Sequence, residues 1–214
     1  MLFRSEKPVP FDPGSPEATV ETPSDSKPVK GGDLDQAMRD AAFSIDVEYD
    51  TPGHASAAME PHATIAEWQD DRLILRGSYQ MLAFNVKEIA DCLSISPKKV
   101  RIIAPYVGGG FGSKLGITHE AVAAAIAARE LGRPVRVVMT RQQVFQTVMR
   151  RSETRQRVRL AADAAGKLVG LGHEARVSNL PDEDFAEPVT QATEFLYGGE
   201  NRLLKVDVAR ISRM

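Results

Sequence analysis

A run of glycines around one aromatic residue is the first feature of the chain whose composition suggests chemistry. Gly108, Gly109, Gly110 and Gly112 surround Phe111. Glycine adopts backbone conformations with positive φ and leaves amide N–H groups uncovered, so a loop of this composition can hold a flat or anionic group. A tight turn that packing alone requires is the alternative interpretation of the same residues.

The order of residues in this loop argues against two common nucleotide sites. The glycines do not follow the G-x-G-x-x-G spacing of dinucleotide-binding folds. Gly112-Ser113-Lys114 also has the wrong order for a Walker loop, in which lysine directly follows glycine and precedes serine or threonine. We therefore expect neither a nicotinamide site nor a P-loop.

Predicted elements on both sides would position the loop. Residues 99–107 read as a strand, and residues 119–131 read as an alanine-rich helix. Gly132 and Pro134 end that helix. Because many alanines on a helix let a neighbouring backbone approach closely, we expect this helix to be buried against a sheet.

The remaining elements indicate the fold class. Apolar spacing predicts helices over residues 33–43, 84–94, 141–148 and 190–197. Strands are predicted over residues 44–50, 63–68, 72–77, 135–140, 157–163 and 168–178. We expect the strand at residues 44–50 to be half buried. The strands at residues 63–68 and 72–77 are expected to form one hairpin, and those at residues 157–163 and 168–178 a second one. This order favours a mixed α+β (α/β) fold with a mixed sheet and packed helices over a sandwich or a bundle.

Composition and charge exclude several classes of protein. The chain has 214 residues, of which 43% are hydrophobic and 26% charged, and its net charge is −2. These values do not fit a disordered polymer, and the charge lacks the basic excess typical of nucleic-acid binding. Since no stretch approaches the about 18 consecutive apolar residues of a spanning helix, we expect no membrane insertion. Without an apolar leader at the start, a cytoplasmic location is expected.

Proline content suggests where the ordered part begins. Six of the 13 prolines lie in residues 1–28, together with serine, glutamate and lysine. We therefore predict a disordered tail or linker over residues 1–32 and a folded part over residues 33–214.

Cysteine and histidine content argues against a metal site built by this chain. Cys92 is the single cysteine, so neither an internal disulfide nor a cysteine-ligated iron–sulfur cluster can form. The four histidines, His54, His62, His119 and His173, are far apart, which argues against zinc. We expect Cys92, like Trp68 and Phe84, to belong to the apolar core.

Four motifs in one order resemble a known family. They are the run from His54 through Met59–Trp68, Tyr79-Gln80, Val107–Lys114 and Gly132–Arg136. Together they resemble the molybdopterin-binding (large) subunit of the xanthine dehydrogenase/aldehyde oxidase family. The sequence of residues 108–115, 128–135 and 140–145 is most similar to that of bacterial three-subunit, periplasmic-type aldehyde oxidoreductases. The resemblance extends over residues 33–210 and corresponds to the N-terminal portion of the molybdopterin-binding domain, a minor part of the whole subunit.

The resemblance implies a set of cofactor-binding residues. Gln80 would donate a hydrogen bond to an oxygen ligand of molybdenum. The amides of Phe111 and Gly112 would face the metal centre or its pterin, and Gly109 and Gly110 belong to the same binding loop. No residue of this chain would ligate the metal directly. The implied cofactor is molybdenum-molybdopterin, with its cytosine dinucleotide form as one alternative.

The resemblance also implies a reaction and partners. Enzymes of this family oxidise aldehydes or N-heterocycles with water as the oxygen source, and the electrons leave through Fe-S and FAD groups. These groups would lie on an Fe-S subunit and an FAD subunit, which are the expected partners together with the remainder of the large subunit. Export to the periplasm would follow if such a partner carried the signal.

The resemblance places the general-base glutamate outside this chain. In the family it lies near the C-terminus of the subunit in a Gly-x-Gly-Glu context. Gly198-Gly199-Glu200 is similar in sequence, but the residues around it resemble a family segment far upstream of the loop that carries the general base. We therefore expect no catalytic residue here and no activity of this chain alone. Two alternatives stay open: a non-catalytic remnant that docks Fe-S and FAD partners without binding metal, and a piece that does not fold by itself.

An arginine-rich strand has more than one interpretation. Arg155, Arg157 and Arg159 alternate with other residues and so lie on one side of the strand. They would form either a solvated or subunit-facing sheet edge, or a contact to the pyrophosphate of the cofactor.

Overall fold

The computed structural model describes residues 18–23, 28–181, 183 and 185–211. Within these residues the helices are α1 (Leu34–Asp40), α2 (Leu82–Cys92), α3 (His119–Leu131), α4 (Arg141–Thr147) and α5 (Gln191–Leu196), with a 3₁₀ turn at Pro97–Lys99. The strands are β1 (Thr19–Glu21), β2 (Val29–Gly31), β3 (Phe43–Thr51), β4 (Ala63–Gln69), β5 (Arg72–Gly77), β6 (Val100–Ile103), β7 (Val135–Val138), β8 (Thr154–Ala162), β9 (Leu168–Asn179) and β10 (Asn201–Arg210). The mixed α+β fold predicted from the sequence is confirmed.

The chain divides into two compact units. The first unit is built from the two ends of the chain, up to Gly53 and from Ser152 onward, and the second is the segment His54–Arg151. Each unit contains one mixed sheet. The second unit carries the glycine loop.

The first unit is built on the sheet β1-β10-β9-β8-β3, in which β2 also pairs with β10. β9 and β10 run parallel, and the other pairs are antiparallel. Asp33 accepts from the Gln36 amide and so begins α1, which packs on β8, β9 and β10. A Cβ atom at Gly172 would lie 2.8 Å from the side chain of Leu34, so glycine there lets α1 approach the sheet.

The second unit is built on the sheet β6-β5-β4-β7, with the hairpin β4–β5 at its centre. α3 packs on β4, β5 and β7. Its small side chains make this approach possible, because Ala121, Ala124, Ala125 and Ala128 are all buried. The Trp68 indole donates to the carbonyl of Ala125 at 2.9 Å and so ties the helix to β4. The predicted burial of this helix against a sheet is confirmed.

Element predictions from apolar spacing are largely confirmed, and two are wrong. β3 forms where a half-buried strand was predicted, but it is an edge strand and its Ile45 and Tyr49 side chains are more than half exposed. β10 forms in a stretch where no strand was predicted.

Two short strands lie within residues 1–32, where a tail or linker was predicted. β1 and β2 both pair with β10 through their backbones. Pairing of this kind needs no apolar side chains, so the polar composition gave no sign of it. Residues 1–17 and 24–27 lie outside the described part of the chain.

Candidate functional site

The segment after β5 places Gln80 beside the glycine loop. β5 ends at Gly77, and Ser78 and Tyr79 follow as buried residues before Gln80. The Tyr79 hydroxyl shares a hydrogen bond of 2.7 Å with Thr64 Oγ1, and burial raises the pKa of this hydroxyl. Tyr79 is thereby anchored to the neighbouring strand, which fixes the backbone on which Gln80 stands.

The glycine loop has an unusual backbone. Gly109 and Gly112 have φ values of 92° and 94°, and Phe111 between them has a φ of 50°. Residues with a Cβ atom rarely adopt this left-handed region, and the Phe111 side chain is 68% exposed. Packing alone therefore does not account for the aromatic residue at this position.

Gln80 and the loop are joined by three hydrogen bonds. The Gln80 side-chain oxygen Oε1 accepts from the amides of Gly112 at 3.2 Å and Lys114 at 3.1 Å. The Gln80 amide donates to the Lys114 carbonyl at 2.9 Å. A Cβ atom at Gly110 would overlap Gln80 Oε1, so this glycine makes room for the side chain. The structure thus brings together all five residues that the resemblance assigns to the cofactor site.

Three carbonyl groups in the second half of the loop have hydrogen-bond partners in the protein. Gly110 O accepts from the Ser113 amide at 2.9 Å and from Ser113 Oγ at 2.8 Å. Phe111 O accepts from Ser56 Oγ at 3.2 Å. His62 Nε2 lies 3.0 Å from Ser113 O, and with this atom as the protonated nitrogen it donates to that carbonyl. These three acceptors therefore face the protein.

Several donors of the loop remain without a partner. Among the described residues, the amides of Gly109, Gly110 and Phe111 make no hydrogen bond, and neither does Gln80 Nε2. The Gly112 amide, which the resemblance directed toward the cofactor, instead donates to Gln80 in this arrangement. Successive uncommitted amides form a site that suits oxygen-rich or anionic ligands. This donor set fits the oxygen ligands of a molybdenum cofactor.

A buried lysine forms an ion pair with Glu60 beside the loop. The Lys114 side chain is 1% exposed, and its Nζ contacts Glu60 Oε2 at 2.8 Å and Ser78 Oγ at 3.1 Å. Glu60 Oε2 also accepts from the Gly108 amide at 2.6 Å. Burial of the Glu60 carboxyl alone would raise its pKa, but hydrogen bonds from Lys114, Ser78 and Gly108 hold the pKa below its ordinary value.

Sequence reasoning did not find this ion pair. Glu60 and Lys114 both stand in the motifs that carry the resemblance, but neither was given a role. The only local sign is a charged residue between the glycine loop and the apolar start of Leu115-Gly116-Ile117. A lysine in such a place is exposed in most proteins, so the sequence alone gave no reason to expect its burial.

Helix α2 holds the segment that follows the loop. Asn85 is fully buried, and its Nδ2 donates to the Leu115 carbonyl at 2.6 Å. Glu88 Oε2 accepts from the Ile117 amide at 2.8 Å. The loop is therefore fixed by Glu60 and Gln80 and, just beyond Lys114, by α2.

The arginine row in the first unit is paired with acids. Arg155 bonds Asp50 at 2.9 Å, and Arg157 makes two bonds to Asp46. The hydrogen bond from Arg157 lowers the pKa of Asp46. Arg159 contacts Asp35 at 2.7 Å and Glu174 at 2.9 Å. The three arginines lie on one side of β8 as predicted, and this pairing accounts for them without an anionic ligand.

The remaining candidates have structural contacts or lie on the surface. His173 contacts Thr193 Oγ1 at 2.8 Å and Gln156 Oε1 at 3.0 Å, and burial lowers its pKa. The expectation that Cys92 and Phe84 belong to the core is wrong, because both are exposed on α2. In the described part of the chain no three His, Cys, Asp or Glu side chains are grouped as metal ligands. No described helix is long and apolar enough to cross a membrane.

A comparison with known protein families finds a match over almost the whole chain. The matching family is the molybdopterin cofactor-binding domain, and it matches residues 15–208. The match includes Glu60, Gln80 and the whole glycine loop.

Two curated proteins and one solved structure show the same relationship. The aldehyde oxidoreductase molybdenum-binding subunit PaoC of Escherichia coli (strain K12) is 40% identical over 186 residues, 87% of this chain and 25% of its own length. The nicotine 6-hydroxylase large subunit of Paenarthrobacter nicotinovorans is 30% identical over 77% of this chain and 21% of its own length. The aldehyde oxidoreductase from Desulfovibrio gigas superposes with a TM-score of 0.76 at 22% identity, covering 92% of this chain and 22% of that structure. The chain thus spans about a quarter of the length of the curated relatives it matches.

Proposed function

The chain belongs to the molybdopterin cofactor-binding domain family, whose members are oxidoreductases of the molybdenum hydroxylase type, and we propose that it forms the first cofactor-binding part of an aldehyde-oxidising enzyme. Sequence similarity to the nicotine 6-hydroxylase large subunit makes N-heterocycles the alternative substrate class. The reaction would use water as the oxygen source and pass electrons to Fe-S and FAD partner subunits.

One observation carries this proposal. Three successive amides, of Gly109, Gly110 and Phe111, and the Gln80 side-chain amide have no acceptor among the described residues. The carbonyls of Gly110 and Phe111, in contrast, accept hydrogen bonds from the protein. A loop that only turned the chain would have no need to leave donors uncommitted beside an exposed aromatic ring. The arrangement instead selects a ligand rich in acceptors.

The roles of the residues follow from these contacts. Gln80 Nε2 would donate to an oxygen ligand of molybdenum, and the amides at positions 109–111 would hold the metal centre or its pterin. When bound, the cofactor supplies the oxidation itself, transferring oxygen from water to the substrate and accepting the electrons. Phe111 would exclude water from one side of this site with its exposed ring.

The chain by itself is proposed to be inactive. It covers about a quarter of the curated relatives, and the general-base glutamate implied by the resemblance lies in a later segment. Turnover would therefore need the remainder of the large subunit, the Fe-S subunit and the FAD subunit. Aldehyde oxidation by the purified chain alone would contradict this part of the proposal.

Metal and pterin analysis tests the proposal. The chain is purified from cells that synthesise the molybdenum cofactor, and molybdenum is measured by mass spectrometry and pterin by the fluorescence of its oxidised form. We expect both in near-equal amounts with the chain. A chain that binds Fe-S and FAD subunits while it holds neither molybdenum nor pterin would instead support the non-catalytic docking role.

A further inference from the structure

The two ends of the glycine loop meet at one carboxylate. Glu60 Oε2 accepts from the Gly108 amide at 2.6 Å, at the start of the loop, and contacts Lys114 Nζ at 2.8 Å, at its end. Lys114 Nζ also donates to Glu60 O at 3.2 Å. The Glu60 side chain therefore links the two ends of the segment between Gly108 and Lys114.

The position of Lys114 in turn determines that of Gln80. The Lys114 amide donates to Gln80 Oε1, and its carbonyl accepts from the Gln80 amide. With both backbone groups of Lys114 committed to Gln80, movement of this lysine would move Gln80. Because Oε1 is held by the loop, Nε2 of the same amide group is directed away from those contacts.

We propose that Glu60 is a positioning residue of the cofactor site: by joining Gly108 and Lys114 it holds the loop closed and keeps Gln80 turned with its side-chain amide free for the ligand. This inference rests on the proposed function for its purpose but not for its geometry. Glu60 touches neither Nε2 nor the free amides, and so it acts through Lys114.

The surroundings of the pair support a positioning role over a surface ion pair. Lys114 is almost fully buried, whereas Glu60 keeps 37% of its side chain exposed. A Cβ atom at Gly108 would lie 2.6 Å from Glu60 Cβ, so glycine there permits the close contact. A buried lysine needs a fixed anionic partner, and the chain supplies it at the point where the loop must close.

Amide hydrogen exchange on the cofactor-free chain tests this inference. In Glu60→Gln we expect the amides of Gly112 and Lys114 to exchange at least about tenfold faster than in the wild type, because both donate to Gln80 in the closed loop. The matched control is Glu67→Gln, which breaks the pair of Glu67 with the more exposed Arg76 at 2.8 Å on the same sheet and should leave these amides unchanged.

A double variant separates positioning from simple charge burial. Glu60→Gln alone leaves the lysine charge unpaired and can prevent folding, whereas Glu60→Gln with Lys114→Met removes both charges and keeps the shape. We expect this double variant to fold but to retain the fast exchange of the amides at positions 112 and 114. Wild-type protection of these amides in the folded double variant would overturn the inference.

Cofactor content gives the second readout. At limiting cofactor supply, the double variant should hold at least about tenfold less molybdenum and pterin than the wild type and the Glu67→Gln control. If the wild type binds cofactor and the double variant holds the same amount, the inference is also overturned. If the wild type holds no cofactor, the proposed function fails, but the exchange experiment still decides whether Glu60 positions the loop.

Discussion

Gln80 and Lys114 are joined by a reciprocal pair of hydrogen bonds. The Gln80 amide donates to the Lys114 carbonyl at 2.9 Å, and the Lys114 amide donates to Gln80 Oε1 at 3.1 Å. The second bond uses the acceptor end of the Gln80 side chain, so the donor end is the part available to a ligand. Substitutions at this site can therefore separate the donor from the acceptor.

Gln80→Glu should remove the donor and keep the acceptor. The glutamate can still accept from the amides of Gly112 and Lys114, but it has no N–H to offer to an oxygen ligand of the metal. A lost hydrogen bond to a strongly polar group costs about 1.5–3 kcal/mol, so molybdenum content at limiting cofactor should fall about tenfold or more. The measurement is molybdenum per chain, with Gln69→Glu at the exposed end of β4 as the control. Unchanged content would show that Nε2 does not contact the cofactor.

Gly110→Ala should destabilise the second unit. Its Cβ atom would overlap Gln80 Oε1, so either the loop or Gln80 must move. Overpacking of this kind costs about 1–3 kcal/mol of unfolding free energy. Urea unfolding measures it, and Gly198→Ala is the control because no atom lies within 4 Å of the Cβ position there. Equal midpoints for the two variants would contradict the close contact of Gly110 and Gln80.

Glu60 should make the stability of the chain depend on pH in the acid range. Its pKa in the folded chain lies below the ordinary value of 4.5, so its contribution is present above pH 4.5 and is lost as the pH falls through the folded value. In urea unfolding between about pH 6 and about pH 3, the unfolding free energy of the double variant Glu60→Gln with Lys114→Met should therefore fall less steeply than that of the wild type. Parallel curves for the two proteins would show that the folded structure does not stabilise the carboxylate.

Arg157→Gln should leave cofactor binding unchanged. Arg157 bonds Asp46 on the neighbouring edge strand, and this acid accounts for the arginine without a ligand. Because an exposed ion pair contributes little to stability, the unfolding midpoint should hardly move. Molybdenum and pterin content are measured beside those of the wild type. A clear loss of cofactor would instead favour the contact between this arginine row and the cofactor pyrophosphate.

The sequence could predict those elements that are defined locally. α3 occupies the predicted residues 119–131, because alanine content favours helix and Gly132, with a φ of 60°, ends it in the left-handed conformation. The glycine loop and Gln80 were found through residue type and motif order. In the structure the two are in contact, since the Gly112 amide donates to Gln80 Oε1.

Features that depend on distant partners could not be predicted. β3 alternates apolar and polar residues like a half-buried strand, but period alone does not tell an edge strand from a central one. Glu60 and Lys114 are 54 residues apart, and no local pattern marks them as a pair. β10 was missed although Leu204, Val206 and Val208 alternate as a strand, since the proline and acids before it suggested irregular chain.

The ends of the second unit meet in a way that has a consequence for synthesis of the chain. The His54 amide donates to Arg151 O at 3.2 Å, and the Arg151 amide donates to His54 O at 2.9 Å. Residues 54–151 thus form a closed insertion that is complete once Arg151 has left the ribosome. The first unit must wait for β10, because the early strands β1 and β2 pair with that last one. The glycine loop and Gln80 are therefore complete during translation before the sheet that pairs β1 and β2 with β10 can be assembled.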